Sequence, residues 1–356
     1  MRGGLLVSVP LALAAAACGA DPLSMDAWSA RSDSIIGGSV VTAGAYSAVG
    51  AILGVGTYQD GTPLHRFMCT GTLVAADVLV SAAHCLDARV LAGAGSLAWY
   101  VSFADDVSAY GYVTPDLPAD AIAVAAVVSH PDFDLDPMLA GVNGLGQHAD
   151  VGFLILSRPA TGRGVATVLD ADAAAAVTPG AAATVVGYGA NLAVDRCEPA
   201  AGCGVKRQAT AAVALTGTYE LQVGGPDPAA RKCHGDSGGP TFLRVADGRE
   251  PAERLVGVTS HAFDAGGCTT GAVDTRLDAY RAWLNDALLA ACKDGRRTEC
   301  QDGGALPAPE PRAAAAEEPG GCDCRALGAS VGVVPWMWIG WRRRRRRRRR
   351  GVDRGG

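Results

Sequence analysis

The chain has 356 residues, of which 49% are hydrophobic and 19% are charged. This balance excludes an intrinsically disordered chain and a coiled coil, and the length allows a sizeable core. The formal charge of -5 is unevenly distributed, because nine of the 31 Lys and Arg residues form one run, Arg342 to Arg350. The other 22 stand against 36 acidic residues, a balance of -14. We therefore expect an acidic body that does not bind nucleic acid.

Residues 1–18 have the pattern of an export signal. Arg2 precedes an apolar stretch, Leu5 to Ala17, that is too short to span a bilayer, and small residues lead to Cys18. The run Ala15-Ala16-Ala17-Cys18 also resembles a bacterial lipobox. Two interpretations stay open, cleavage as an ordinary signal peptide or lipidation of Cys18. Residues 19–34 are then interpreted as a propeptide.

The C-terminal part predicts a linker and an anchor. Residues 292–320 contain two cysteines and then a stretch rich in Ala, Pro, Gly and Glu, which is typical of a flexible linker. In residues 321–350, Cys322 and Cys324 precede the apolar run Ala326 to Trp341 and the arginines, and a helix of that run is about 24 Å long, marginal for a membrane. The order of parts resembles the MYXO-CTERM sorting tail, which implies sorting machinery that processes the chain near Cys322 or Cys324. A plain membrane anchor is the alternative. We therefore expect an exported protein, which is either held at the cell surface or outer membrane or secreted.

The cysteine count favours disulfides. Of eleven cysteines, eight remain when Cys18, Cys322 and Cys324 are set aside, and an even number in an exported chain suggests pairing. Proximity in the chain suggests the pairs Cys197–Cys203 and Cys292–Cys300. No CxxC pair with zinc spacing occurs in the body, so we predict neither a metal nor a cofactor.

Short apolar runs predict an all-β body over residues 35–280. The runs are rich in Val, Leu and Thr and are separated by Gly, Pro and Asp, as in a sandwich or barrel. One helical pattern stands out, Leu277 to Ala291, with Leu277, Tyr280, Trp283, Leu284 and Leu288 on one face.

Three motifs carry residues of nucleophilic catalysis. Glycines around Ser237 in Gly235-Asp236-Ser237-Gly238-Gly239 allow a tight turn that presents the hydroxyl. A base stands in Ala82-Ala83-His84-Cys85, and Asp150 opens the apolar run to Leu156, where a carboxylate can be desolvated and can orient the histidine. Taken singly, each motif has a structural interpretation, as a turn, a packed histidine or a cap. Rival carboxylates lie in the loop after His130-Pro131, without a following apolar strand: Asp132, Asp134 and Asp136.

The order His, Asp, Ser is that of chymotrypsin-like enzymes. The body resembles a trypsin/chymotrypsin-type serine protease over residues 35–287, including Ile35-Ile36-Gly37-Gly38, Cys69-Thr70-Gly71, Val186-Gly187-Tyr188-Gly189 and Gly257-Val258-Thr259-Ser260. The resemblance implies two six-stranded antiparallel β-barrels with the active site between them, closed by a C-terminal helix, in a protease domain of residues 35–291. It also implies the disulfides Cys69–Cys85 and Cys233–Cys268.

The resemblance assigns roles to the motif residues. Ser237 is implied as the nucleophile, His84 as general base and Asp150 as the group that orients it. The N–H groups of Gly235 and Ser237 are implied as the oxyanion hole. Ser260 is implied to contact the triad aspartate and to line the substrate channel.

Two positions depart from the family pattern. Where trypsin-like members place an Asp, six residues before the nucleophile, this chain has Arg231, which predicts that basic substrates are rejected. Two interpretations stay open: the Arg231 side chain faces the pocket and favours acidic or polar substrates, or it turns outward and leaves a merely polar pocket. In the family, a cut before the equivalent of Ile35 frees an amine that pairs with the equivalent of Asp236. Here Ser34 precedes Ile35, so we expect a processing protease without basic specificity.

The leading hypothesis is therefore a secreted or surface-anchored serine endopeptidase acting on proteins or peptides, not specific for Arg or Lys. A non-catalytic protease-like surface binding module is one alternative, and an esterase with the same triad is another.

Overall fold

A computed structural model describes residues 35–194, 196–246, 251–264, 267–300 and 304–307. These residues belong to the first of two compact units, residues 1–311, and the second comprises residues 312–356. The predicted signal peptide, propeptide and sorting tail, with Cys18, Cys322 and Cys324, lie outside the described residues. Within the described ranges, no helix combines the length and apolar character needed to cross a membrane.

Six antiparallel strands form the first closed barrel, in the order β2-β3-β4-β7-β6-β5. Apolar side chains of these strands, such as Ile52, Leu79 and Leu154, are fully buried in its interior. This burial of short Val- and Leu-rich runs is the reason that the segments pair as strands. The strands are β2 (Val49–Tyr58), β3 (Pro63–Ala75), β4 (Val78–Ser81), β5 (Ala94–Ser102), β6 (Ile122–Ser129) and β7 (Gly152–Leu156).

The second barrel has the strand order β9-β10-β13-β12-β11-β8 and is closed by pairing of β8 with β9. Its interior contains Val185, Val213 and Val256. A short strand β1 (Ser39–Val40) adds to β9 from outside the ring. The predicted pair of six-stranded antiparallel barrels is thus confirmed. The strands are β8 (Ala182–Gly187), β9 (Arg207–Thr216), β10 (Glu220–Val223), β11 (Pro240–Val245), β12 (Ala252–Ala262) and β13 (Ala272–Arg276).

In the described part of the chain, two α-helices accompany the barrels. The predicted C-terminal helix is present as α2 (Leu277–Lys293), whose residues Leu284 and Leu288 are fully buried. Trp283 is half-buried and packs on His130, with ring centroids 4.7 Å apart. A second helix, α1 (Leu135–Ala140), was not expected, and Asp134 caps its N-terminus through the Asp136 N–H.

The segment after α2 packs against the first barrel. Arg297 pairs with Asp77 at 2.9 Å, and Leu306 is buried while its N–H donates to Asn285 Oδ1. The packed structure therefore continues beyond residue 291, where the sequence predicts the domain to end, and includes residues predicted as linker.

Four disulfides stabilise the described residues, and they join the predicted pairs. Two join cysteines that are 16 and 35 residues apart, Cys69–Cys85 and Cys233–Cys268. The other two close short loops, Cys197–Cys203 and Cys292–Cys300. Disulfides of this kind are typical of proteins that fold in an oxidising compartment.

Candidate active site

The turn that follows β4 holds His84 against Asp150. His84 lies in the 3-10 turn Ala83–Leu86, and Asp150 precedes β7, which pairs with β4. Asp150 is fully buried; its Oδ2 lies 2.8 Å from Nδ1 of His84, and its Oδ1 accepts the His84 backbone N–H at 2.9 Å. Because a carboxylate can only accept, Nδ1 of His84 carries the proton, and Nε2 is left able to take one up.

Ser260 of β12 completes the surroundings of this pair, because its Oγ donates to Asp150 Oδ2 at 2.6 Å. Burial opposes ionisation of Asp150, but the charge of His84 and the hydrogen bonds from His84 and Ser260 outweigh it and hold the pKa of Asp150 below its usual value. Burial likewise opposes the charged form of His84, but the Asp150 charge and hydrogen bond raise the pKa of His84 above its usual value. The arrangement favours an imidazolium ion at His84, which is the charge that a general base acquires.

Ser237 lies in the loop before β11, and backbone hydrogen bonds fix this loop. Thr70 of β3 donates its N–H to Ser237 O at 2.9 Å and its hydroxyl to Gly235 O at 2.9 Å. Gly238, at φ +73, donates to Thr259 O at 2.7 Å, and a Cβ on it would lie 1.9 Å from Ser81 Oγ. Only glycine fits this position. A strand of the first barrel thus holds the serine loop of the second.

His84 and Ser237 line the same cleft, which has a volume of about 340 Å³. In the described residues no hydrogen bond joins their side chains, and Nε2 of His84 lies 3.5 Å from Cys85 Sγ. Such contacts often tighten only when substrate binds. The N–H groups of Gly235 and Ser237 have no acceptor in the described part of the chain, so they are available to an oxygen from outside.

The three rival carboxylates make other contacts. Asp134 caps α1, and Asp136 pairs with Arg89 at 3.3 Å on the exposed surface. Asp132 lies 4.0 Å from the ring of His130. Of the carboxylates in the described ranges, Asp150 is the one that hydrogen-bonds to His84.

The side chain of Asp236, the residue before Ser237, is tightly packed against the backbone of Gly187 and Gly189. It is fully buried and accepts N–H bonds from Gly189 at 2.8 Å and Cys233 at 2.9 Å. A Cβ on Gly187 would lie 2.0 Å from its Oδ1. Burial raises the pKa of Asp236 to about 6, against the two hydrogen bonds and the charges of nearby cations. Ile35 is buried in the apolar cluster of the second barrel.

Comparison with known families decides the classification. Residues 35–284 match the family model described as Trypsin. The chain belongs to the trypsin family. The chain is 27% identical over 287 residues to mouse (Mus musculus) "Serine protease 56", covering 75% of this chain and 41% of that protein. The human (Homo sapiens) protein of the same name is 27% identical over 286 residues, 75% of this chain and 40% of that protein.

"Phenoloxidase-activating factor 1" of Holotrichia diomphalia is 28% identical over 256 residues, covering 64% of this chain and 63% of that protein. This chain therefore spans about two fifths of the length of the mammalian relatives and less than two thirds of the insect one.

The cleft of this trypsin-family domain has an unexpected pair of charges. Arg231 was predicted to face the substrate, but it is not among the described residues that line the cleft. Its side chain is buried, and its guanidinium donates to Cys268 O at 2.5 Å and to Asp227 Oδ1 at 2.6 Å. Lys232 lines the cleft instead, and its Nζ lies 2.7 Å from Asp274 Oδ2.

The Lys232–Asp274 pair is internally satisfied. Both side chains are fully buried, and the three N–H donors of Lys232 have acceptors in both Asp274 oxygens and in Thr241 Oγ1, at 2.7 to 3.0 Å. Burial lowers the pKa of Lys232, although Asp274 acts in the opposite direction. Neither residue was identified as functional from the sequence, because Lys232 and Asp274 are 42 residues apart in the chain.

An apolar rim of this trypsin-family cleft was also missed. Val90, Leu135, Met138 and Leu139 line it, three of them from α1. The run Asp134-Leu135-Asp136-Pro137 could have revealed the helix, because an Asp cap followed by an acid and a proline is a helix-start pattern.

Proposed function

We propose that the chain is an exported serine endopeptidase in which Ser237, His84 and Asp150 act as a catalytic triad. The observation that carries the proposal is the buried hydrogen bond between Asp150 and His84, because His84 lines the same cleft as Ser237. Family membership supports peptide bonds as the substrate and a protein or peptide as the partner.

In the proposed reaction, Ser237 Oγ attacks the scissile carbonyl carbon while Nε2 of His84 takes up the hydroxyl proton. Asp150 keeps the proton on Nδ1 of His84 and stabilises the imidazolium ion. The N–H groups of Gly235 and Ser237 stabilise the oxyanion, a contribution of about 2.7–4 kcal/mol for each donor. His84 then returns the proton to the leaving amine, and water hydrolyses the acyl-enzyme by the same route.

We propose that the pocket prefers a neutral side chain at P1, the substrate residue before the scissile bond. Each described cation near its base is paired with a carboxylate, Lys232 with Asp274 and Arg231 with Asp227. The acidic preference expected from Arg231 loses its support, because that guanidinium is engaged elsewhere. The rejection of Arg and Lys keeps its support, since no unpaired carboxylate among the described residues lines the cleft.

We propose activation by a cut between Ser34 and Ile35. Asp236 is buried with two N–H donors and a raised pKa of about 6, which is the environment of a carboxylate that awaits a cation. The new α-amine of Ile35 would supply that cation. N-terminal sequencing of the active protein should begin at Ile35, and a start at Ser32 would contradict this account.

Export and anchoring stay proposals. The four disulfides support an oxidising compartment. Lipidation at Cys18 and processing near Cys322 or Cys324 can be measured by mass spectrometry of the protein purified from its native membrane or medium.

The proposed function is tested with a fluorophosphonate probe and a peptide library. The wild-type chain, matured at Ile35, should be labelled and should cleave peptides, and Ser237→Ala should do neither. Ser157→Ala serves as the matched control, because Ser157 is an exposed serine after β7. If the wild type is labelled no more than Ser237→Ala and cleaves no peptide, the result would favour a binding module. Ester hydrolysis without peptide cleavage would favour an esterase.

A further inference from the structure

Three side chains from distant parts of the chain meet beside the cleft. One ring nitrogen each of His148 and His261 and one carboxylate oxygen of Glu220 lie within 4.8 Å of one another. The two rings meet edge to face, with centroids 5.2 Å apart. The other group of potential ligands in the described ranges, Cys69, His84 and Cys85, has both sulfurs in a disulfide and cannot coordinate as thiolates.

Glu220 is held as a metal ligand would need to be. It is fully buried at the start of β10, and its Oε2 accepts the Gly146 N–H at 2.6 Å. Its Oε1 lies 2.7 Å from Nδ1 of His148. Zn²⁺ bonds of about 2.0–2.2 Å place two ligand atoms about 3.4 Å apart in a tetrahedron, so a metal could replace the proton of this hydrogen bond after a small shift.

His261 has a partner for each ring nitrogen. Its Nε2 lies 3.1 Å from Gly144 O, and its Nδ1 lies 3.1 Å from Ser260 Oγ. Whichever nitrogen binds a metal, the other still has a hydrogen-bond partner, the usual condition of a ligating histidine. Two imidazoles and one carboxylate form a donor set that suits Zn²⁺ and leaves a coordination position open.

We propose that His148, Glu220 and His261 form a binding site for a divalent transition metal of the Zn²⁺ class, and that its occupancy lowers the activity of the adjacent cleft. The second half rests on the proposed function. His261 lines the cleft together with His84 and Ser237, so a shift of its ring toward a metal changes the wall that a substrate contacts.

A second route couples the metal site to the triad. The Oγ atom of Ser260 lies 2.6 Å from Asp150 Oδ2 and 3.1 Å from Nδ1 of His261. The hydroxyl has a single proton to donate. Coordination that withdraws His261 or changes which of its nitrogens is protonated alters the position of Ser260. The hydrogen bond that Asp150 receives then changes with metal occupancy.

Binding is tested without reference to catalysis, by calorimetric titration of ZnCl₂ into the full chain carrying Ser237→Ala. We expect one Zn²⁺ per chain. Loss of an outer-shell partner of a bound metal weakens its binding by about 10–100-fold. Because these three side chains are proposed as direct ligands, we expect a larger loss of Zn²⁺ affinity in each of the variants His148→Gln, Glu220→Gln and His261→Gln. His65→Gln is the matched control, because His65 lies in β3, outside the site, and it should bind Zn²⁺ as before. Thermal unfolding in EDTA verifies that each variant is folded.

Unchanged affinity in the double variant His148→Gln/His261→Gln, or loss of binding in His84→Gln alone, would overturn the site. In the active wild type, peptide hydrolysis should fall with the midpoint of zinc binding and return with EDTA. One zinc bound through these ligands with hydrolysis unchanged would overturn the inhibitory half. A chain that binds zinc but never hydrolyses peptides would support the site and contradict the proposed function instead.

Discussion

The Arg297–Asp77 pair fastens the segment after α2 to the first barrel, and we predict that its loss is costly. Nη2 and Nε of Arg297 lie 2.9 and 3.2 Å from Asp77 Oδ1, and the side chains are 2% and 0% exposed. Asp77 also accepts the N–H groups of Thr298 and Glu299, both at 3.0 Å. Arg297→Met keeps the aliphatic stem but leaves a buried carboxylate without its cation. Removal of one partner from a buried pair costs about 3–5 kcal/mol, and we expect the free energy of unfolding to fall by that amount.

Equilibrium unfolding in guanidinium at pH 7 measures this loss, and the neighbouring residue supplies the control. Arg296 pairs with Asp294 at 3.3 Å, but these side chains are 42% and 57% exposed. An exposed pair contributes at most about 1 kcal/mol, so Arg296→Met should have little effect. Equal losses in the two variants, or a loss below about 1 kcal/mol for Arg297→Met, would refute the argument that burial makes this pair important.

Three further predictions concern the cleft. Asp150→Asn should lower kcat by about 10⁴-fold, the size of effect that a wrong histidine tautomer has in a chymotrypsin-type triad, and steady-state kinetics showing less than a tenfold loss would contradict this role. Since burial raises the pKa of Asp236 from 3.8 to about 6, a contribution to stability that is present below pH 4 is lost as the pH rises through 6. Between pH 4 and 7 the uncleaved wild type should therefore lose about 2.4 kcal/mol of unfolding free energy relative to Asp236→Asn, and parallel pH profiles would exclude this. Lys232→Ser frees the Asp274 carboxylate, so kcat/KM for peptides with Lys or Arg at P1 should rise more than about tenfold, and no increase would count against the neutral-pocket proposal.

The residues that were found from the sequence are those with a local signature. Ser237 is flanked by glycines that its tight loop requires, and the Gly238 contact with Ser81 shows why no larger residue fits. The barrels were predictable because short apolar runs recur between turn residues, and α2 because its apolar face repeats at helical spacing.

The residues that were missed depend on contacts between strands that are distant in the chain. The sequence shows that Arg231 and Lys232 are adjacent, but not that Arg231 turns to Asp227 while Lys232 reaches Asp274. The absence of CxxC pairs argues only against zinc sites built from cysteine. His148 and His261 are more than 100 residues apart, and only the folded β-strands bring them to Glu220.

Thr70 links the first barrel to the loop that carries Ser237. It belongs to the same barrel as His84, yet it hydrogen-bonds on both sides of the serine turn, to Gly235 O and to Ser237 O. If one barrel slid against the other, the turn would either travel with Thr70 or break these contacts, each worth about 1 kcal/mol. Small relative movements of the two barrels should therefore displace Ser237 together with His84, so that the distance between these two residues is less sensitive to thermal motion than the width of the cleft around them.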